Sequence, residues 1–376
     1  MIRKIYYLYL VLFLTFSIFT YLFVDSNFFY LKSLVTGIGL HDRILVSLIY
    51  LLYMVLFFIL YFLLIKNINR VPAVIKSSIL PTVIVLAFLI FSYPTIISYD
   101  VFNYAATAKV TFGYRENPYI IMPIEFRQDS LLRFTQAANK IALYAPFWIL
   151  ISFIPFVLAF GNYLVLIYLF KLLAAIFLIG CVYLLLKLSD KPNPALYFAL
   201  SPLVLVETIV SGHNDIVMMF LALAAFYFAK NKKILISLVF IFLSILIKYS
   251  TIVLLPTLIY SIYLIARNVK IDWDRIYFLN FVLLFIVFLL SPIRAEIYPW
   301  YAIWPLSFLV LTKKRNLIYL FTFFSFCLMA RYIPYMLTGD NFGLTPNIKM
   351  FMTFFPTGII ALYMIFKKKL LANNSL

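Results

Sequence analysis

Long apolar runs separated by short polar breaks set the pattern of the chain, and their lengths are those of membrane helices. After the basic start MIRK comes IYYLYLVLFLTFSIFTYLFV. This run is longer than a signal-peptide core and no small-x-small cleavage pattern follows it, so it reads as a retained first span. Further runs fall at 44–65, 77–97, 162–186, 194–211, 216–229, 234–249, 251–266, 277–293, 301–312, 316–334 and 349–366. Several are shorter than the about 20 residues a full crossing needs, so their ends must continue into flanking polar residues or the bilayer must thin around them.

One more apolar stretch, 141–160 (IALYAPFWILISFIPFVLAF), decides the topology. If it spans, the basic clusters KNKK (230–233), RNVKIDWDR (267–275), KKR (313–315) and KKK (367–369) all fall on the side opposite Arg3 and Lys4. If it lies along the outer surface, they all fall on the cytoplasmic side, as positive loops prefer. Pro146, Pro155 and the aromatic residues of the stretch suit an interfacial element better than a straight span. The expected architecture is an all-α integral membrane protein of about twelve transmembrane helices, with interfacial helices in a first large outer loop at 98–161. Both termini are cytoplasmic in this scheme, in a multi-pass protein of the cell membrane.

Composition agrees. Of 376 residues 66% are hydrophobic and only 12% charged, and no soluble domain of useful size fits between the runs. A formal charge of +18 raises the question of nucleic acid, but the basic residues are scattered through short loops, without an RNP, zinc or helix-turn-helix signature. Topogenic lysines facing anionic headgroups account for them, so the expected partners are membrane lipids and no nucleic acid. Cys181 and Cys327 lie inside apolar runs, which argues against a disulfide or a cysteine zinc site. Only Asp190, Asp272 and Asp274 of the 13 acidic residues fall on the cytoplasmic side. The chemistry is therefore expected outside.

Asp100 leads the candidates, because it sits about one turn beyond the run that ends near residue 97, where a carboxylate has a desolvation cost. Asn103 and Tyr104 follow at i+3 and i+4 and share its face if the segment is helical. A helix N-cap is the structural alternative for the aspartate. The second group is VETIVSGHND (206–215): Glu207 within a span, then His213, Asn214 and Asp215 in the turn, which could equally be a polar hairpin. A His213–Asp215 metal site has the wrong spacing for a helical pair and lacks a third ligand, so no metal is expected. Lys248 interrupts an apolar run at the outer boundary, and Arg294 beside Glu296 is similar; each could hold a phosphate or snorkel to headgroups. Finally, YPWYAIWP (298–305) is either an ordinary aromatic belt or a platform for sugar rings. No phosphate loop, Walker motif or Ser-His-Asp arrangement appears, which disfavours a cytoplasmic ATP- or nucleotide-sugar-dependent enzyme; no cofactor is expected. A lipid-anchored donor suits an outer-face site.

Taken in order, Asp100, NPY (117–119), YAPFW (144–148), GHND (212–215), ILIKYSTIVLLP (245–256) and YPWYAIWP resemble the GT-C superfamily of membrane glycosyltransferases. The pattern is most similar to the polyprenyl-phosphate-mannose-dependent mannosyltransferases. The resemblance covers 77–312 as a catalytic core, leaving two extra spans in 1–76 and the C-terminal spans of 313–376; YAPFW stands where Tyr-Gly-Pro is expected. It implies helices along the outer surface in the first catalytic loop. It also implies an inverting transfer of a sugar, mannose by the likeness, from a polyprenyl-phosphate donor to a hydroxyl of a glycan or glycolipid acceptor. By the same likeness Asp100 is the general base; beside it, Lys248 and Arg294 are the candidates for the donor phosphate. The candidates for binding the sugar are Asn103, Tyr104, Tyr119, Glu207, His213, Asn214 and Asp215, with Trp300 and Tyr301 for stacking. Rival readings are a transporter or flippase of lipid-linked sugars, and a transferase of another sugar on the same scaffold.

Overall fold

The computed structural model describes residues 2–24, 28–70, 79–94, 98–129, 131–132, 135, 138–189, 191–293 and 296–373, which are helical with no strand among them. In chain order the main helices are α1 (Ile2–Phe19), α2 (Arg43–Lys66), α3 (Ile79–Leu89), α4 (Asp100–Ala108), α5 (Pro146–Leu158) and α6 (Tyr163–Ser189). Then come α7 (Pro192–Ala199), α8 (Pro202–Leu205), α9 (Asp215–Lys230), α10 (Ile234–Ile245), α11 (Leu255–Ala266) and α12 (Trp273–Leu290). The chain closes with α13 (Ile303–Leu309), α14 (Arg315–Ala330), α15 (Ile333–Thr338) and α16 (Thr345–Asn373).

Among the described residues seven helical segments are long and apolar enough to cross a membrane: Ile2–Phe23, Arg43–Lys66, Tyr163–Ser189, Tyr249–Ala266, Trp273–Ile293, Arg315–Thr338 and Thr345–Lys367. The α7–α8 pair would make an eighth if its 56° bend lies within one span. That is fewer than the twelve runs read from the sequence, for a physical reason. The runs at 216–229 and 234–249 form helices of only 16 and 12 residues, and the run at 301–312 gives a seven-residue helix. An apolar run records burial without saying whether lipid or protein does the burying. Every residue of α13 is buried, as are 12 of the 16 in α9, so these are core helices. The stretch 141–160 yields α5, 13 residues long, which starts with Pro146 in the first turn.

Helix α9 is the centre of the bundle, packed between α6, α10 and α13. Ala222, Ala224, Ala225 and Ala229 give it a slim surface that neighbours can approach closely. Gly180 of α6 does the same from the other side, since a Cβ there would lie 2.6 Å from the Phe220 ring. Ser237 and Ser244 of α10 donate to the carbonyls of Ala225 and Met218 at 2.8 and 2.9 Å, pinning the α9–α10 hairpin. Outward faces are apolar: Leu48, Leu52 and Ile59 of α2, and Phe355, Ile359 and Leu362 of α16. The basic loops converge at one end. Lys230 donates to the Leu188 carbonyl, the Lys313 amide to Asp274, and Arg315 to the Lys66 carbonyl. Asp215 starts α9 and Lys230 ends it, so the aspartate lies at the opposite end, about 24 Å away along a helix of this length.

Candidate active site

Local sequence builds the site from three interrupted helices. Pro202 forces Ser201 into an extended conformation (φ −65°, ψ 124°) and bends α7 into α8. A π-helical turn, Val206–Val210, follows and carries Glu207; such turns are frequent at functional sites. Gly212 then takes φ +74°, which lets the chain reverse through His213 and Asn214 into α9. Elsewhere Lys248 sits extended (φ −148°, ψ 134°) between α10 and the 3₁₀ turn Tyr249–Leu254, and the 3₁₀ turn Pro299–Ala302 presents Trp300 and Tyr301.

His213 is fully buried and lies between two carboxylates. Its Nδ1 is 3.3 Å from Asp100 Oδ2 and its Nε2 is 3.3 Å from Glu207 Oε2. Neither ring nitrogen points its N–H along a hydrogen-bond direction, so these are charge contacts more than aligned hydrogen bonds. Burial alone pulls the imidazole toward neutrality, but the Asp100 and Glu207 carboxylates outweigh it and push the pKa up to about 9. In turn, burial raises the Asp100 carboxyl, while His213 and, further off, Lys248 outweigh that and hold it below the usual carboxylate range. Asp100 is the first residue of α4; Tyr99 takes the cap position without a side-chain cap bond, and the Asp100 carboxylate turns to His213.

Asp215, fully buried, accepts from Lys248 Nζ at 2.7 Å and from the Trp304 indole N–H at 2.6 Å. Glu207 accepts from the Tyr332 hydroxyl at 2.9 Å. The aromatic residues form the wall: Trp300 lies against His213, Tyr298 stacks on Trp300 at 4.4 Å, and Tyr301 stacks on Trp304 at 4.3 Å with Lys248 Nζ 5.3 Å from its ring centre. Among the three carboxylates only Asp100 is open, with 26% of its side chain exposed against none for Glu207 and Asp215. Asp100 and Glu207 flank opposite nitrogens of one ring, and among the described residues no three of His, Cys, Asp and Glu converge as a metal-ligand set.

Of the residues singled out in the sequence, Asp100, Glu207, His213, Asp215, Lys248, Trp300 and Tyr301 meet in this one cluster. Tyr104 is packed beneath it: its hydroxyl accepts from the Asn214 amide at 3.2 Å, and its ring meets Tyr144 and Trp148 edge-on. The Asn214 side chain is buried with neither polar atom hydrogen-bonded. Asn103 lines a neighbouring crevice with Thr107, Thr135, Lys140 and Tyr144. Tyr119 stands apart, half-exposed, donating to the Tyr144 carbonyl at 2.9 Å. Arg294 lies outside the described residues. Tyr332 went unread in the sequence, as did Arg331 and Lys349, which meet Glu296 nearby. The available signal was LMARYIP, an arginine inside an apolar run, which is costly without a partner.

The bundle thus has helices long and apolar enough to cross a membrane and a partly exposed carboxylate, Asp100, beside an aromatic wall. Residues 17–264 match the family model of the alpha-(1->6)-mannopyranosyltransferase N-terminal domain, the MptA_B family. The match spans more than half of the chain, which therefore belongs to this family of GT-C type mannosyltransferases. Searches of curated proteins and of solved structures return no match. Membership supports glycosyltransferase activity.

Proposed function

We propose that the protein is an inverting mannosyltransferase that takes mannose from a polyprenyl-phosphate donor and delivers it to a glycan or glycolipid hydroxyl on the outer face of the membrane. One observation carries the assignment of the base: Asp100 is the one carboxylate of the cluster with an open face, and His213 keeps it ionised. Asp100 takes the proton as the acceptor oxygen bonds to the anomeric carbon; the bond from that carbon to the phosphate oxygen breaks, and its electron pair leaves with polyprenyl phosphate. Phosphate is already a competent leaving group, so one carboxylate suffices where glycosidases need two. An α product, as in the family description, then requires a β-linked donor.

Lys248 and Arg294 remain the candidates for the leaving phosphate, Lys248 being 18% exposed beside Asp215. Tyr301 would stack on a sugar face, while Trp300, covered by His213 and Tyr298, backs the wall behind it. Asn103, Glu207, His213, Asn214 and Asp215 would be the polar surroundings, with Tyr104 supporting them from beneath and Tyr119 at a distance. The gathering of basic loops at the end opposite the site supports an outer-face reaction under the positive-inside rule.

The test is transfer from radiolabelled polyprenyl-phosphate-mannose by membranes carrying wild type or Asp100→Asn. Loss of about 10²–10⁴ in rate with donor binding retained supports the assignment. Undiminished transfer by the variant moves the base elsewhere, and no transfer by wild type overturns the donor.

A further inference from the structure

Arg331 and Lys349 are buried, at 3% and 7% exposure, where α14 ends and α16 begins. Both address one atom. Arg331 Nη2 lies 2.6 Å and Lys349 Nζ 3.2 Å from Oε1 of Glu296. Their other side-chain partners are uncharged: Thr353 Oγ1 at 3.5 Å and Met350 Sδ at 3.7 Å for Arg331, and Asn341 Oδ1 at 2.7 Å for Lys349. Buried cations need full compensation, and here two of them share a single carboxylate oxygen. That carboxylate is also the most open member, with 36% of its side chain exposed. Glu296 itself lies outside any helix, three residues before the 3₁₀ turn at Pro299.

We propose that Arg331 and Lys349 form a seat for a phosphate-bearing ligand, and that the Glu296 carboxylate fills this seat while the ligand is absent. A phosphate ester offers two or three acceptor oxygens, enough to meet a guanidinium fork and an ammonium at once. The seat borders the cluster around Asp100. Tyr298, two residues from Glu296, stacks on Trp300, and Tyr332, next to Arg331, donates to Glu207. Within the transfer reaction proposed above the occupant is the donor's phosphate, which these two cations would take in place of Lys248, whose ammonium is already paired with Asp215. That identification rests on that reading, and a phospholipid headgroup carries the same chemistry. Both cations lie beyond the residues that match the family model, 17–264.

The experiment measures binding of a short-chain prenyl phosphate to the delipidated full chain in detergent, at constant ionic strength, by calorimetry. Glu296→Gln removes the competing anion and should bind about tenfold tighter. Lys349→Gln should bind about tenfold weaker, with affinity for the matching prenyl alcohol unchanged. A structural ion pair predicts a less stable Glu296→Gln protein and no gain in affinity, and that result overturns the proposal. If Glu296→Gln does not fold, unaltered phosphate binding by Lys349→Gln overturns it instead. Repeating the titration with phosphatidylglycerol separates the sources: a response to prenyl phosphate alone assigns the donor, and an equal response assigns the seat to a headgroup. Binding is read without turnover, so a chain that passes these tests yet transfers no mannose loses the reaction and keeps the seat.

Discussion

The Trp300 indole lies flat on the His213 imidazole, with ring centres 4.0 Å apart and planes 18° from parallel. Carboxylates hold the imidazole at its two nitrogens and an aromatic face holds it from the side. An aromatic face stabilises a cation by about 0.5–2 kcal/mol, more when water is excluded. Trp300→Ala should therefore reduce mannose transfer by about tenfold and Trp300→Phe by less, since a smaller ring keeps part of the contact. Steady-state kinetics of the two variants check this; equal losses would mean that the stack is not what matters.

The charge on His213 sets a pH window for stability. Its pKa is raised from 6.5 to about 9, so the protonated imidazole contributes fully below pH 6.5 and its contribution is lost as pH rises through about 9. Melting temperature in detergent should fall across that window for wild type and stay flatter for His213→Gln. Asp100 has the opposite sign: its lowered pKa keeps it ionised there, so the acid limb of transfer should lie below the ordinary carboxylate range.

Lys248 is the one charged partner of Asp215, which is wholly buried, among the described residues. Lys248→Met leaves the Trp304 bond but strands a charge, and should cost about 3 kcal/mol in unfolding free energy. Adding Asp215→Asn should restore much of the loss. A double variant as unstable as the single one would argue against a paired charge.

Orientation is open to labelling. Cysteines placed at the exposed positions Glu116 and Asn341 should react with an impermeant maleimide from outside intact cells, and one at Asn231 should not. Reaction at Asn231 alone would invert the proposed topology.

Much of the site was legible in the sequence because polar residues in an apolar chain stand out, and each needs a partner. Asp100, the Glu207–Asp215 segment, Lys248 and Trp300 were visible in this way, and the fold joins them. What could not be read is pairing across elements. Nothing local says that Lys248 serves Asp215, or that the Tyr104 hydroxyl anchors the Asn214 backbone instead of facing open space. Arg331 and Lys349 lie 35 and 53 positions from Glu296, so only the folded bundle brings them together. The count of long apolar helices differs from the count of apolar runs for a related reason: α9, α10 and α13 are apolar but 16, 12 and seven residues long, and protein buries most of α9 and all of α13 whereas α16 leaves apolar side chains exposed.

Gly180 carries a consequence for how inactive alleles are interpreted. Any side chain there meets Phe220 at 2.6 Å and pushes on α9, whose first residue is Asp215. A Gly180→Val protein whose Phe220 ring cannot swing aside would have to shift α9, and it would then lose activity with every reacting group still present. A genetic screen would then score a featureless position in mid-bundle alongside Asp100. Loss of activity on this scaffold thus reports helix spacing as readily as chemistry, and donor-binding data are what tell the two apart.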